Sequence, residues 1–261
     1  MKNLWKEKIV NHEKTVGMFV NIGSESAMEV AAMSDMDYVI IDTEHGPFDV
    51  ESTAAMIRAM ELHQGTTLVR VKDSHRNSIL KMLDVGAKGI VIPQVHSVQQ
   101  AQEIVSYGKY YPVGERGFAF ARGAGYGHAD HAKAGMASYM ATCNRECLLI
   151  PQCETKGALE HIEEIAALDG IDGIFIGPFD LSIALDIPGQ FDQPAFQQAV
   201  RRIKKACDDA GKFCMIYCRD VAFARRWMDE GFLHPTVSCD YVYFYNALNQ
   251  AVADILTPPR E

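Results

Sequence analysis

The sequence predicts a (β/α)8 TIM barrel, a single domain over residues 1–261. Three observations carry this. Short apolar runs recur eight times, segments with apolar residues at three- and four-residue spacing separate them, and 261 residues suit a fold that needs about 250. A doubly wound open sheet is the alternative arrangement of the same units.

The expected strands are VGMFVNI (16–22), YVIID (38–42), TLVRV (67–71), GIVIPQV (89–95), CLLIPQC (147–153), GIFIGP (173–178), FCMIYC (213–218) and YVYFYN (241–246). The run Tyr38–Ile41 shows no polar alternation, the pattern of a parallel strand covered on both faces. DVESTAAMIRAMELH and QPAFQQAVRRIKKACDDAG carry helical spacing, and the second ends at a capping glycine, Gly211. Between strands four and five, residues 109–145 form a long excursion that includes YYPVGERGFAFARGAGYGHADH. Loops of this length inside a compact domain serve function or reach a neighbouring subunit. Its GAGYG neither directly follows a strand nor opens a helix, and NALNQA after the eighth expected strand offers no glycines, so no nucleotide site is expected.

Composition narrows the function. At 48% hydrophobic, with no low-complexity stretch, the chain builds a sizeable core. A net charge of -9 without a basic face argues against nucleic acid, and RRIKK (201–205) reads as a solvated helix face. The N-terminal MKNLWKEKIVNHEK lacks the apolar core of a signal peptide, and no apolar run approaches about 18 residues, so a cytoplasmic protein without a membrane span is expected. Seven cysteines without a CxxC pair, Cys147, Cys153, Cys214 and Cys218 among them in apolar runs, read as buried thiols in a reducing compartment.

In a barrel the C-terminal ends of the strands converge on one mouth. Those positions hold Asp42, Glu44 and His45 after strand two, Arg70 at strand three, Gln94 at strand four, Gln152 and Glu154 at strand five, and Asp180 after strand six. Glu154 and Asp180 are hard oxygen donors from neighbouring strands. They suit Mg2+ or Mn2+, with coordination sites left for water and a chelating substrate. Taken singly, Asp180 in GPFDLS also fits an N-cap.

The stretches IIDTEHGPFD, VRVKD, LDVGAKGIVIPQVHSVQQA, RGFAFARG and PQCETKGALEHIEEIAALDGIDGIFIGPFDLS resemble the class II pyruvate aldolases of the HpcH/HpaI family over nearly the whole chain. The resemblance implies a divalent metal (Mg2+, Mn2+ or Co2+), a pyruvate enolate, and a 4-hydroxy-2-oxo acid cleaved to, or formed from, pyruvate and an aldehyde. It also implies a trimer-based homo-oligomer, a hexamer. By the same resemblance, His45 is the base, Arg70 stabilises the transition state, and Glu154 and Asp180 hold the metal. Gln152 contacts substrate, and Asp84 raises the basicity of the histidine from a neighbouring subunit. Phe179 stands beside the substrate where the family has a small residue, and Phe19 replaces a usual tryptophan. Three rivals stay open: a Schiff-base aldolase using Lys72, a related enolpyruvate lyase or synthase with another electrophile, and a catalytically silent 2-oxo-acid-binding homologue.

Overall fold

A computed structural model describes residues 2–256. Eight parallel strands pair in chain order and close: β1 (Gly17–Val20), β2 (Tyr38–Asp42), β3 (Thr66–Arg70), β4 (Gly89–Ile92), β5 (Leu148–Cys153), β6 (Gly173–Ile176), β7 (Phe213–Cys218) and β8 (His234–Cys239). Gly17 of β1 pairs with Thr236 of β8, which excludes the open sheet. The fold is the (β/α)8 barrel expected, in a single domain.

The eighth strand is a correction. Residues 241–246 are not a strand but the start of a terminal helix, Asp240–Leu256, and the strand is the preceding HPTVSC. Every residue of β8 is buried, whereas no residue of that helix is. The aromatic and β-branched character of YVYFYN imitates a strand, while Pro235, Thr236 and Ser238 make the true strand look like a turn. Burial supplies their reason: the Thr236 hydroxyl lies 2.9 Å from that of Tyr38 inside the barrel.

Alternation along each strand sorts the side chains into two cores. Val39 and Ile41 face the helices, and Tyr38 and Ile40 face the barrel axis with Leu68, Val91, Leu148, Ile150 and Met215. Each such side chain contributes roughly 1.5–3 kcal/mol on full burial. Trp5, from helix Leu4–Val10, closes the far end, and its indole N–H donates to the Thr15 hydroxyl at 2.9 Å. The same alternation, carried one step further up β2, β3 and β5, projects Asp42, Arg70 and Gln152 into the mouth.

The excursion is structured. It holds a 3-10 turn (Arg122–Gly127) and helices Asp130–Lys133 and Met136–Glu146, and its aromatics are less exposed than a bare loop would leave them. Tyr110 is fully buried and packs with Phe118 and Tyr139, while Tyr111 stays 77% exposed. The RRIKK segment is a solvated face: Arg201 pairs with Glu230, Arg202 with Glu163, Lys204 with Asp208 and Lys205 with Asp209. All seven cysteines are free and buried. Among the described residues no helix is long and apolar enough to cross a membrane.

Candidate active site

A cavity of about 250 Å3 opens at the C-terminal ends of the strands. Its charged wall starts at Asp42, the last residue of β2. Asp42 accepts from Arg70 Nε at 2.9 Å and Nη2 at 2.7 Å, a bidentate pair across adjacent strands, and from the Asn21 amide at 2.8 Å. Burial pushes the Asp42 pKa up. The Arg70 bonds and charge, the Asn21 amide and the His45 backbone N–H outweigh it and hold the carboxyl below its ordinary value. Arg70 Nη1 also reaches Glu44 at 3.2 Å, and Glu44 lies 3.8 Å from His45 Nε2 at the rim.

Glu154 is the buried centre of the opposite wall. Its Oε1 accepts from the Gln94 backbone N–H at 2.9 Å, and its Oε2 from Gln152 Nε2 at 2.8 Å. Gln94 adopts a left-handed conformation (φ 51°) to aim that N–H, a strain of about 1–2 kcal/mol. Gly177, just past β6, makes room: a Cβ there would stand 2.2 Å from Glu154 Oε2. Burial first, then repulsion from Asp180 and Glu44, pushes Glu154 up to about 7, against the opposing pull of Gln94 and Arg70. Glu44 is likewise raised, by burial and by Asp42 and Asp180, although Arg70 and His45 pull it down.

The structure brings His45, Arg70, Gln152, Glu154, Phe179 and Asp180 to one cavity. Asp180 sits in the first turn of helix Pro178–Ala184, whose N-cap is Gly177, so it does not take the capping role its sequence context allows. Asp84 is not brought there within this chain; it ends helix Arg76–Asp84 and pairs with Arg116 at 2.8 Å. Lys72 lies two residues beyond the end of β3, exposed and outside the cavity lining. Sequence reasoning missed Asn21, Tyr217 and Gly177. The period-two pattern of β1 and β7 points to the first two, but nothing in the sequence marks Gly177 as the space for a carboxylate.

The donor set can be tested against a divalent ion. Four carboxylates, from Asp42, Glu44, Glu154 and Asp180, stand against a single guanidinium already shared by Asp42 and Glu44. Gln152 Oε1 is buried without a hydrogen-bond partner. Hard oxygen donors with uncompensated negative charge fit Mg2+ or Mn2+. Among the described residues no three His, Cys, Asp or Glu side chains are grouped to chelate an ion, so an ion placed there would take most of its ligands from water and substrate oxygens.

A closed (β/α)8 barrel with acids, an arginine and a histidine at its C-terminal mouth has the place and the groups of an enzyme active site. The family follows from comparison with known proteins. The model of the HpcH/HpaI aldolase/citrate lyase family matches residues 15–247, and this chain belongs to that family. It is a carbon–carbon lyase of the class II aldolase type, a class that is generally dependent on a divalent metal. A 2-keto-3-deoxy-L-rhamnonate aldolase from Klebsiella pneumoniae subsp. pneumoniae is 31% identical over 97% of this chain and 93% of its own. The crystal structure of an HpcH/HpaI aldolase/citrate lyase family protein from Burkholderia cenocepacia J2315 is 29% identical, with a TM-score of 0.90 over 97% of this chain and 99% of that one. The citrate synthase SbnG is 28% identical, with a TM-score of 0.84 over 95% of this chain and 96% of its own.

Proposed function

We propose that the protein cleaves or forms a 4-hydroxy-2-oxo acid through the enolate of pyruvate, with pyruvate and an aldehyde as the other partners in the reaction. The observation that carries this is Glu154: a buried carboxylate lining the same cavity as Asp180, repelled by it and hydrogen-bonded to the neutral amides of Gln94 and Gln152. Glu154 and Asp180 would hold a divalent ion, which when bound would supply Lewis acidity to a 2-oxo acid carbonyl. Arg70, fixed in direction by its two bonds to Asp42, presents positive charge where the enolate oxygen develops. His45, exposed at the rim, exchanges the proton of the 4-hydroxyl directly or through water. Gln152 contacts the substrate from the cavity wall and steadies Glu154 by donating from its side-chain amide. The named activity of the rhamnonate aldolase relative supports an aldolase, and that of the citrate synthase relative supports a second reading in which the same enolate meets another electrophile.

Asp84 acts from a neighbouring subunit of a trimer-based homo-oligomer, a hexamer. Its distance from this chain's own cavity, behind Arg116, and the uncovered terminal helix support that assembly. The partners are small molecules: a surface of net charge -9 suits no nucleic acid. Seven unpaired buried thiols support the cytoplasm as the compartment. The decisive measurement is exchange of the pyruvate C3 protons with deuterated solvent, with and without EDTA. Metal-dependent exchange is expected, and borohydride with pyruvate should leave the protein unmodified. Trapping of pyruvate on Lys72 would replace this mechanism with a Schiff base, and absence of exchange with the metal bound would leave a silent binding protein.

A further inference from the structure

The cavity has two unlike halves, and the second has chemistry of its own. The charged half comes from β2, β3 and β5. The other half, from β1, β6, β7 and the turn after β6, is a train of rings, met by the charged half where the Arg70 guanidinium lies 4.7 Å over the Phe19 ring. Phe19 lies 5.9 Å from Phe175 and 5.8 Å from Tyr217, and Tyr217 lies 5.8 Å from Phe179. Phe179 in turn meets Phe191 edge-on at 5.4 Å, so the train runs from the cavity floor to its rim. Phe19 and Phe175 are buried, whereas Phe179 is 46% exposed at the entrance.

Apart from Asp180 and Tyr241, which also border the cavity, the polar groups around this half already have partners within the protein. The Asn21 amide is held by Asp42 at 2.8 Å. The Asp240 carboxylate accepts the backbone N–H groups of Asn21 and Ile22 at 2.9 and 3.0 Å. The Tyr217 hydroxyl lies 3.9 Å from the Cys239 sulfur. Arg219, next along the chain from β7, does not line the cavity: its guanidinium lies over the Phe191 and Phe223 rings and bonds Asp220 at 3.1 Å. A hydroxyl-rich or anionic chain placed here would give up water for ring faces and find few partners, whereas an apolar group would give up only its own hydration. Rings also favour edge-to-face packing at the spacings this wall already uses.

Resting on the enolate reading above, we propose that the electrophile is an uncharged aldehyde carrying an aromatic or compact branched apolar group, bound against the Phe19–Tyr217–Phe179 wall. The step balances without an oxidant. The bond forms between C3 of pyruvate and the aldehyde carbon, the C3 proton leaves to a base, and the aldehyde oxygen takes up a proton to become the 4-hydroxyl. Cleavage is the reverse.

The test compares kcat/KM for benzaldehyde, glyceraldehyde and glyoxylate as acceptors, with the full chain, saturating pyruvate and Mn2+, alongside pyruvate C3 proton exchange in deuterated water. Benzaldehyde is expected to exceed both others by at least tenfold, and Phe179→Ser is expected to cut its ratio to glyceraldehyde at least fivefold. Exchange in the wild type with glyceraldehyde or glyoxylate equal or superior to benzaldehyde overturns the acceptor assignment alone. Absence of exchange overturns the enolate reading and the acceptor assignment with it. A Phe179→Ser ratio unchanged from the wild type, despite an aryl preference, overturns the placement on this wall.

Discussion

Arg70 shows how much a single residue can be asked to do. Its guanidinium forms a two-point pair with Asp42 and leaves Nη1 for Glu44, an arrangement a lysine cannot reproduce because its ammonium is a single point charge. Arg70→Lys should therefore lower kcat/KM at least a hundredfold, about 2.7 kcal/mol, with the circular dichroism spectrum retained. Wild-type kcat/KM in that variant removes Arg70 from the proposed role. Gly177 gives an independent handle on the proposed metal position, because a methyl group there collides with Glu154 Oε2 at 2.2 Å. Gly177→Ala should weaken Mn2+ binding at least tenfold by titration calorimetry. Unchanged affinity would mean that Glu154 does not hold the ion. The acid and the arginine were legible in the sequence because they end apolar strands. The glycine was not, because its reason is a contact between two strand ends more than twenty residues apart.

Among the elements, the terminal helix Asp240–Leu256 stands apart. Tyr241, Tyr245, Leu248, Val252 and Ile255 recur at spacings of four and three residues, which places them on one stripe, and all five are exposed. A stripe of this length left in water is the mark of an interface, and in the proposed homo-oligomer a second copy of the chain would supply the covering surface. Replacing Leu248 and Val252 together with glutamate should reduce the assembly to a smaller species by light scattering at micromolar concentration. An unaltered mass would show that the helix lies outside the contact. The sequence misread the start of this helix as the eighth strand, since both a buried strand and an uncovered helix present aromatic and β-branched residues in an unbroken run. Only closure of the barrel through His234–Cys239 separates the two.

At the scale of the whole molecule, stability carries the signature of a buried imidazole. His234 lies in β8 with Nδ1 2.9 Å from the Thr15 hydroxyl, and burial pulls its pKa down from 6.5 to about 4. Between those values the unfolded chain binds the proton and the folded one does not, so stability is full above about pH 6.5 and falls as pH drops toward 4. The loss approaches about 3 kcal/mol. Denaturant midpoints measured across that window should fall accordingly, and His234→Gln should flatten the slope. An equal slope in the variant would assign the acid sensitivity to other groups.

The sequence by itself determined the barrel and most of its mouth, because apolar runs of strand length and helical spacing between them report local burial directly, and because a polar residue ending such a run has nowhere to point but the open end. It could not determine which carboxylates face one another or which glycine makes room for one of them. Nor could it show that Asp84 turns to Arg116, or that Phe19, Phe175, Tyr217 and Phe179, from three separate parts of the chain, form one wall. Those relations depend on strand stagger and closure, which bring together residues that share no local pattern.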